Sequence, residues 1–213
     1  MGTGLQINSS FLGESKYRDA LDEVFRMYLE DVNPFIVQFE VLRNEFPIEL
    51  QNEIRAIYGH LARASIAESE EEVSKNISKI KSHTKRALLD CYKYSCIIFT
   101  DYYSNFFIQY KGVDLSYLEN GKFLSDINAL YNDVKIKLQT AKRAETSNIS
   151  EQELFDMYQD TYIVAAKMHD RLMKAEESAS YLKRKATKKD IFSWVSLAIG
   201  IVGLIVGILG VVI

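Results

Sequence analysis

The sequence predicts an all-α protein: a multi-helix cytoplasmic bundle with long helices, the last of which continues into a single C-terminal transmembrane helix. The chain of 213 residues has only two prolines, both before residue 48, so long helices can run uninterrupted after it. Apolar residues recur mostly at helical spacing, and alternation typical of strands is weak. Residues 191–213 carry no charged side chain. These three observations define the predicted architecture.

Composition excludes several classes of protein. The 26 Lys and Arg side chains against 29 Asp and Glu give a formal net charge of -3, which is not typical of a general nucleic-acid binder. The two cysteines, Cys91 and Cys96, are too few for a disulfide-rich scaffold, and no second Cys or His pair completes a zinc site. We expect reduced thiols, no metal and no cofactor.

The first part of the chain predicts a flexible segment over residues 1–14 and then helices with short breaks. Residues 15–32 form an amphipathic pattern, which Asn33-Pro34 is expected to interrupt because proline favours the first turn of a new helix. The second helix is predicted to end near Phe46, and Pro47 opens a third.

A capping box at Ser69–Glu72 predicts the start of a helix of up to 40 residues, because no Pro or Gly follows before Tyr110. Gly112 and Asn120-Gly121 indicate the loop after it. A helix from Lys122 to about Glu145 completes a predicted bundle over residues 15–149, interpreted as a sensor domain.

A second capping box, Ser150–Glu153, predicts a long helix or stalk over residues 150–190. From Leu154 to Gly210 one register with a period of 3.5 residues holds almost only apolar or small side chains, as in helices that pack with a left-handed crossing. A basic cluster near the end of the stalk is predicted to contact lipid headgroups: Lys183, Arg184, Lys185, Lys188 and Lys189.

Residues 191–213 predict the membrane span, since 23 helical residues are about 34 Å long and a hydrocarbon core is about 30 Å thick. The basic flank predicts a tail-anchored, single-pass protein of the inner (cytoplasmic) membrane with its N-terminal domain in the cytoplasm. Small residues in heptad phase predict a seam for self-association or a pore: Ser193, Ser196, Gly200, Gly203, Gly207 and Gly210. The expected partners are therefore further copies of the chain and the lipid bilayer.

The long central helix is basic in its first half and aromatic in its second. Basic groups that follow phosphates, beside rings that stack on bases, are what single-stranded nucleic acid requires. The candidate ligand-binding residues are Lys79, Lys85, Arg86, Tyr92, Lys93 and Tyr94. The alternative is that the aromatic rings are core and the lysines a solvated face. The sequence leaves both open.

No catalytic signature is present, so the chain is not expected to be an enzyme. His60, His83 and His169 are isolated from any HExxH spacing, and no Walker loop or GxSxG elbow occurs before the apolar tail.

In its plan of helical domain, basic turn and glycine-rich tail, the chain resembles the membrane effector of the Hailong anti-phage defence system. The resemblance covers the whole plan and rests on no specific motif. It implies an oligomeric, ligand-gated channel, a tetramer by analogy, that disrupts membrane potential. It also implies that single-stranded oligodeoxyadenylate, made by a partner nucleotidyltransferase, is the gating ligand. The alternative function is a tail-anchored tether or adaptor whose helical domain binds a protein partner.

Overall fold

The computed structural model describes the backbone of residues 15–212 and the side-chain surroundings of residues 17–189, 192, 194–197 and 199. Within these residues every regular element is helical, so the predicted all-α class is confirmed. The elements in order are α1 (Ser15–Arg26), a π-helical turn (Met27–Val32), α2 (Asn33–Arg43), α3 (Ile48–Ser65), α4 (Glu70–Gln109), a 3₁₀ segment (Leu115–Gly121), α5 (Phe123–Ala144) and α6 (Glu151–Val212).

The prediction at Asn33-Pro34 is confirmed in part: α2 begins at Asn33 with Pro34 in its first turn, but the backbone stays helical there. Asn33 is helical, and its N–H bonds to the carbonyl of Tyr28, five residues earlier. Pro34 lacks an N–H and would clash with a carbonyl in a regular α-helix, whereas the wider π turn before it gives the ring room. The chain therefore passes from α1 to α2 through the proline without a break.

The remaining helix ends follow local chemistry. Asn44 ends α2 in the left-handed region, at φ 53°, with its N–H bonded to Glu40. At the start of α6 the capping box is complete, because Glu153 Oε2 accepts the Ser150 N–H at 2.9 Å and Ser150 Oγ accepts the Glu153 N–H at 3.1 Å. At the start of α4, Ser69 Oγ accepts the Glu72 N–H. The Glu72 carboxylate accepts the N–H of Glu68 rather than that of Ser69, so only half of the capping box forms. This helix has the predicted 40 residues.

The chain divides into two compact units. Unit 1 comprises residues 15–98 and Val134–Ala165, and unit 2 comprises Phe99–Asp133 and residues 166–212. In unit 1, α1 and the start of α4 share a core of Tyr17, Leu21, Val24, Val73, Ile77 and Ile80. In unit 2, fully buried side chains include Phe123, Ile127 and Leu172.

The 3.5-residue register of α6 is the buried face of that helix. Its seven positions between Tyr158 and Ala179 are all buried, and three of the seven are alanine. The periodicity thus identifies the helix face that packs within the protein.

The thiols of unit 1 lie in this packed interior. Neither Cys91 nor Cys96 forms a disulfide, and both are fully buried. Burial raises the pKa of the Cys96 thiol to about 12 and raises that of Cys91 further. Both thiols are therefore protonated at neutral pH.

The prediction of a C-terminal transmembrane helix is wrong for the part of the chain that is described: no helix there combines the length and apolar character needed to cross a membrane. The physical reason is that the described part of α6 up to residue 189 is amphipathic, with charged side chains in every few turns and five basic side chains between residues 183 and 189, so it offers no apolar stretch of bilayer length. The predicted inner-membrane location, the tail anchor and the ion-channel or pore character depended on that helix and are corrected with it.

The residues assigned to the membrane region are placed only in part. Ser196 is exposed, whereas Ser193, Gly200, Gly203, Gly207 and Gly210 lie outside the residues whose surroundings are described. The predicted flexible segment, residues 1–14, also lies outside the described residues. The basic cluster is exposed, and Lys183 Nζ donates to the Gln109 carbonyl at 2.7 Å. Lipid contact and the small-residue seam stay predictions.

Candidate anionic-ligand cleft

The first half of α4 forms one wall of a cleft of about 760 Å³ in unit 1. Helical spacing aligns Ser78, Ser82, Lys85, Leu89 and Lys93 of α4 along it. The capping box directs the first turn of α6 into the opposite wall, which adds Glu151, Gln152, Leu154 and Phe155. The cleft thus joins a basic helix face to the N-terminal turn of a second helix.

The cationic side chains of the cleft differ in how they are paired. Lys81 Nζ lies 2.6 Å from Glu23, and Lys93 Nζ lies 2.9 Å from Glu145. The Arg86 guanidinium is 3.4 Å from Glu151, and both groups are at least half exposed, so this pair is weak. Lys85 is exposed and has no ion-pair partner among the described residues. Lys85 and Arg86 are therefore the cations that a ligand can recruit at low cost.

Lys93 is fixed more firmly. The Glu145 carboxylate also accepts a hydrogen bond from Tyr158 Oη at 2.7 Å, and the Lys93 ammonium lies 4.9 Å from the centre of the Tyr158 ring. Burial opposes ionisation of Glu145, but the hydrogen bonds from Lys93 and Tyr158 outweigh it and lower the pKa of this carboxyl. Lys93 is thus a structural cation at the end of the cleft.

Asp90 is the unusual carboxyl of the site. Burial, reinforced by repulsion from Glu53, Glu49 and Glu145, raises its pKa to about 6 although Lys93 acts in the opposite direction. A fraction of Asp90 is therefore protonated near neutral pH. In that form its hydroxyl can donate a hydrogen bond to an anionic oxygen.

The structure brings together three of the six predicted ligand residues, Lys85, Arg86 and Lys93. Lys79 is exposed and does not line the cleft. Tyr92 lines a different groove, and the Tyr94 hydroxyl donates to Glu45. Sequence reasoning missed Lys81 and Asp90 of α4, which lie four residues from Lys85 and Arg86 respectively and could have been found by that spacing. It also missed Phe155, whose approach depends on tertiary packing.

The aromatic second half of α4 belongs to the core of unit 2. Phe99, Phe106 and Tyr110 are buried. The hydroxyl of Tyr102 donates to Glu176 at 2.7 Å, and that of Tyr103 donates to Asn128 at 2.6 Å. The interpretation as core is therefore confirmed for Phe99, Phe106 and Tyr110, whereas Tyr102 and Tyr103 are half-buried and held by these hydrogen bonds.

The histidines form no metal site. His83 Nδ1 lies 2.6 Å from Glu53, and His60, stacked on His83 at 5.3 Å, bonds Asn76. His169 stacks on Phe99, and burial lowers its pKa, so it is neutral. In the described part of the chain no three His, Cys, Asp or Glu residues are arranged to hold a metal ion.

Comparisons with protein-family models, with curated proteins and with solved structures give no match to this chain.

Proposed function

We propose that the protein is a non-enzymatic signal-binding component of an anti-phage defence system, and that its cleft binds a short single-stranded oligonucleotide. The observation that carries the proposal is an unpaired Lys85 beside a weakly paired Arg86 in a cleft of about 760 Å³. That volume lies within the range of about 300–1,000 Å³ typical of ligand sites.

The charges of the cleft suit a phosphate more than a neutral ligand. A phosphate oxygen can replace Glu151 as the partner of Arg86, because an exposed ion pair contributes little. It gains charge-assisted hydrogen bonds from Arg86 and Lys85, which are about twice as strong as neutral ones. The acidic side chains of the cleft limit the number of phosphates, which favours a short ligand over a long nucleic acid.

The apolar side chains supply a surface for a base. Leu154 and Phe155 of α6 lie in the cleft with Leu88 and Leu89 of α4. Stacking of a base on an aromatic ring contributes about 1–3 kcal/mol. The Phe155 ring is held edge-on to Tyr92, with 5.5 Å between ring centres, so its position is fixed before the ligand arrives.

The resemblance to the Hailong effector indicates which oligonucleotide to test first, namely oligodeoxyadenylate. It also implies a homo-oligomer, with a tetramer by analogy. Light scattering of the purified chain with and without the oligonucleotide measures that state directly.

The test is fluorescence anisotropy of a labelled oligodeoxyadenylate with the full chain. We expect saturable binding that weakens with salt, and Lys85→Ala should reduce affinity about tenfold, the magnitude of one hydrogen bond to a charged group. It should also lower the slope of log affinity against log salt by about 0.7, the value for one lost phosphate contact on a single strand.

Lys79→Ala is the matched control, since it removes the same charge from the same exposed helix outside the cleft. It should leave affinity and salt slope close to those of the wild type. Equal losses in the two variants would show a diffuse electrostatic attraction, and absence of saturable binding would refute the proposal.

A further inference from the structure

A second groove of unit 1 has chemistry opposite to that of the cleft. It encloses about 580 Å³ and is lined by α2 together with Leu88, Tyr92 and Tyr162. Two carboxylates, Glu30 and Asp31, lie at its edge, and no basic side chain lines it. The groove and the cleft share Leu88 as a common wall.

The floor of the groove is aromatic. Phe35 meets Tyr162 edge-on with 5.1 Å between ring centres, and Tyr92 stacks on Tyr162 at the same distance. Such rings accept aliphatic side chains, and their faces attract the cationic head of Lys or Arg.

The rim exposes apolar side chains at helical spacing. Val37 and Val41, one turn apart on α2, are 51% and 78% exposed. A ridge with this spacing fits between the side chains of another helix, as in helix-in-groove recognition. The rim is preceded by the π turn Met27–Val32, and π turns occur frequently at functional sites.

The charge around the groove selects the sign of the occupant. Among the residues that line the groove, the charged ones are Glu30 and Asp31, and both are acidic. Asp31 has no ion-pair partner among the described residues, and Glu30 has only Arg26 at 3.8 Å, with both side chains largely exposed. A cationic partner is steered toward such a surface and discriminated from acidic ones.

We propose that this groove is the docking site for a basic amphipathic helix of a partner protein. The apolar face of the partner helix packs on Phe35, Val37 and Val41, and the basic side chains of that helix pair with Glu30 and Asp31. This function is separate from oligonucleotide binding in the cleft, because the two surfaces recognise ligands of opposite charge.

The test uses a labelled synthetic helix of lysine and leucine, with leucines at i, i+3, i+4 and i+7, added to the full chain. Two matched peptides replace all leucines by serine or all lysines by glutamate. We expect saturable binding of the first peptide and binding at least about tenfold weaker for each of the others, since both apolar contact and positive charge are required.

Charge reversal locates the site. Asp31→Lys should weaken the lysine–leucine peptide about tenfold and improve binding of the glutamate–leucine peptide, whereas Asp22→Lys, which reverses an exposed charge of the same acidic region outside the groove, should change neither. Val41→Ser is a milder variant at an exposed position and should weaken the first peptide severalfold.

Three results would overturn the proposal. Equal binding of the serine peptide would mean that charge alone acts. Equal effects of Asp31→Lys and Asp22→Lys would mean that no groove is used. Absence of saturable peptide binding together with self-association that Val41→Ser abolishes would assign the groove to a second copy of the chain.

Discussion

The two halves of α4 use similar residue types for different purposes. In unit 1, Lys85 and Arg86 project into a cleft, and Lys85 is unpaired among the described residues. In unit 2, Phe99, Phe106 and Tyr110 are buried. The half-buried Tyr102 and Tyr103 each donate a hydroxyl hydrogen bond to another helix. The difference teaches that basic and aromatic composition does not define a binding surface. Exposure and pairing do, and both depend on the neighbouring helices.

The largest change in the free energy of unfolding is expected when a buried residue of the aromatic half of α4 is replaced. Tyr110 is 2% exposed, and its hydroxyl lies 2.7 Å from Ser180 Oγ. Tyr110→Ala should lower the free energy of unfolding by about 3–5 kcal/mol because it leaves a cavity, and Tyr110→Phe by about 1 kcal/mol. Urea denaturation measures both. Lys85→Ala is the control from the open half and should change stability by less than about 0.5 kcal/mol.

If Tyr110→Ala proved as mild as Lys85→Ala, the aromatic half would not be core, and the contrast between the two halves would fail.

A smaller loss of stability is expected at Arg171, whose ion pairs hold the 3₁₀ segment of unit 2. Arg171 is a quarter exposed and binds Asp126 at 2.9 Å and also Glu119, a non-glycine residue at φ 50°. Arg171→Met should cost about 1–2 kcal/mol at low salt, and 1 M NaCl should reduce the cost. The comparison is Lys174→Met, which breaks only the exposed pair with Asp170 and should cost a few tenths of a kcal/mol.

Equal costs for Arg171→Met and Lys174→Met, or a cost of Arg171→Met that salt leaves unchanged, would contradict an electrostatic clamp on Glu119.

The smallest change in stability is expected at Asp90 of the cleft, and it depends on pH. The pKa of Asp90 is about 6 in the folded chain against an ordinary value of 3.8, so the fold favours its protonated form. Its unfavourable effect on stability is absent below about pH 4, develops as the pH rises from 3.8 to about 6, and is fully present above that range. Asp90→Asn should therefore stabilise the chain at pH 8, by about 1 kcal/mol after allowance for partial exposure, and have little effect near pH 4.

Thermal unfolding at pH 4 and pH 8 measures this difference, with Asp133→Asn at an exposed site as the control. A stabilisation that is the same at both pH values would exclude ionisation of Asp90 as the cause.

Much of the fold was predictable because local chemistry determines it. The complete capping box at Ser150 defines where α6 begins. The absence of Pro and Gly from Ser69 to Tyr110 explains why α4 continues for 40 residues. The 3.5-residue period identified the buried face of α6 before any partner was known. The passage through Pro34 was not predictable, because a π turn has no simple sequence signature.

The site was predictable only in part. Lys85, Arg86 and Lys93 share one face of a helix, and spacing along the chain therefore placed them together. Tyr94 is nine residues from Lys85 and therefore lies on the opposite side of the helix. Tyr92 is seven residues from Lys85 and shares its direction along the helix, but it packs against Phe35 and Tyr162 of the other groove, a contact that only tertiary structure determines. Phe155 is more than sixty residues from Lys85 in the sequence, so only tertiary packing brings it into the cleft.

The buried thiols give the protein a built-in reporter. Cys91 and Cys96 have no exposed surface and are protonated at neutral pH, so an alkylating reagent can react only when this part of α4 opens. The rate of labelling, divided by that of a free thiol, then gives the equilibrium constant for opening. A ligand that closes the adjacent cleft would slow labelling, and occupancy could be read from the unmodified chain by mass spectrometry.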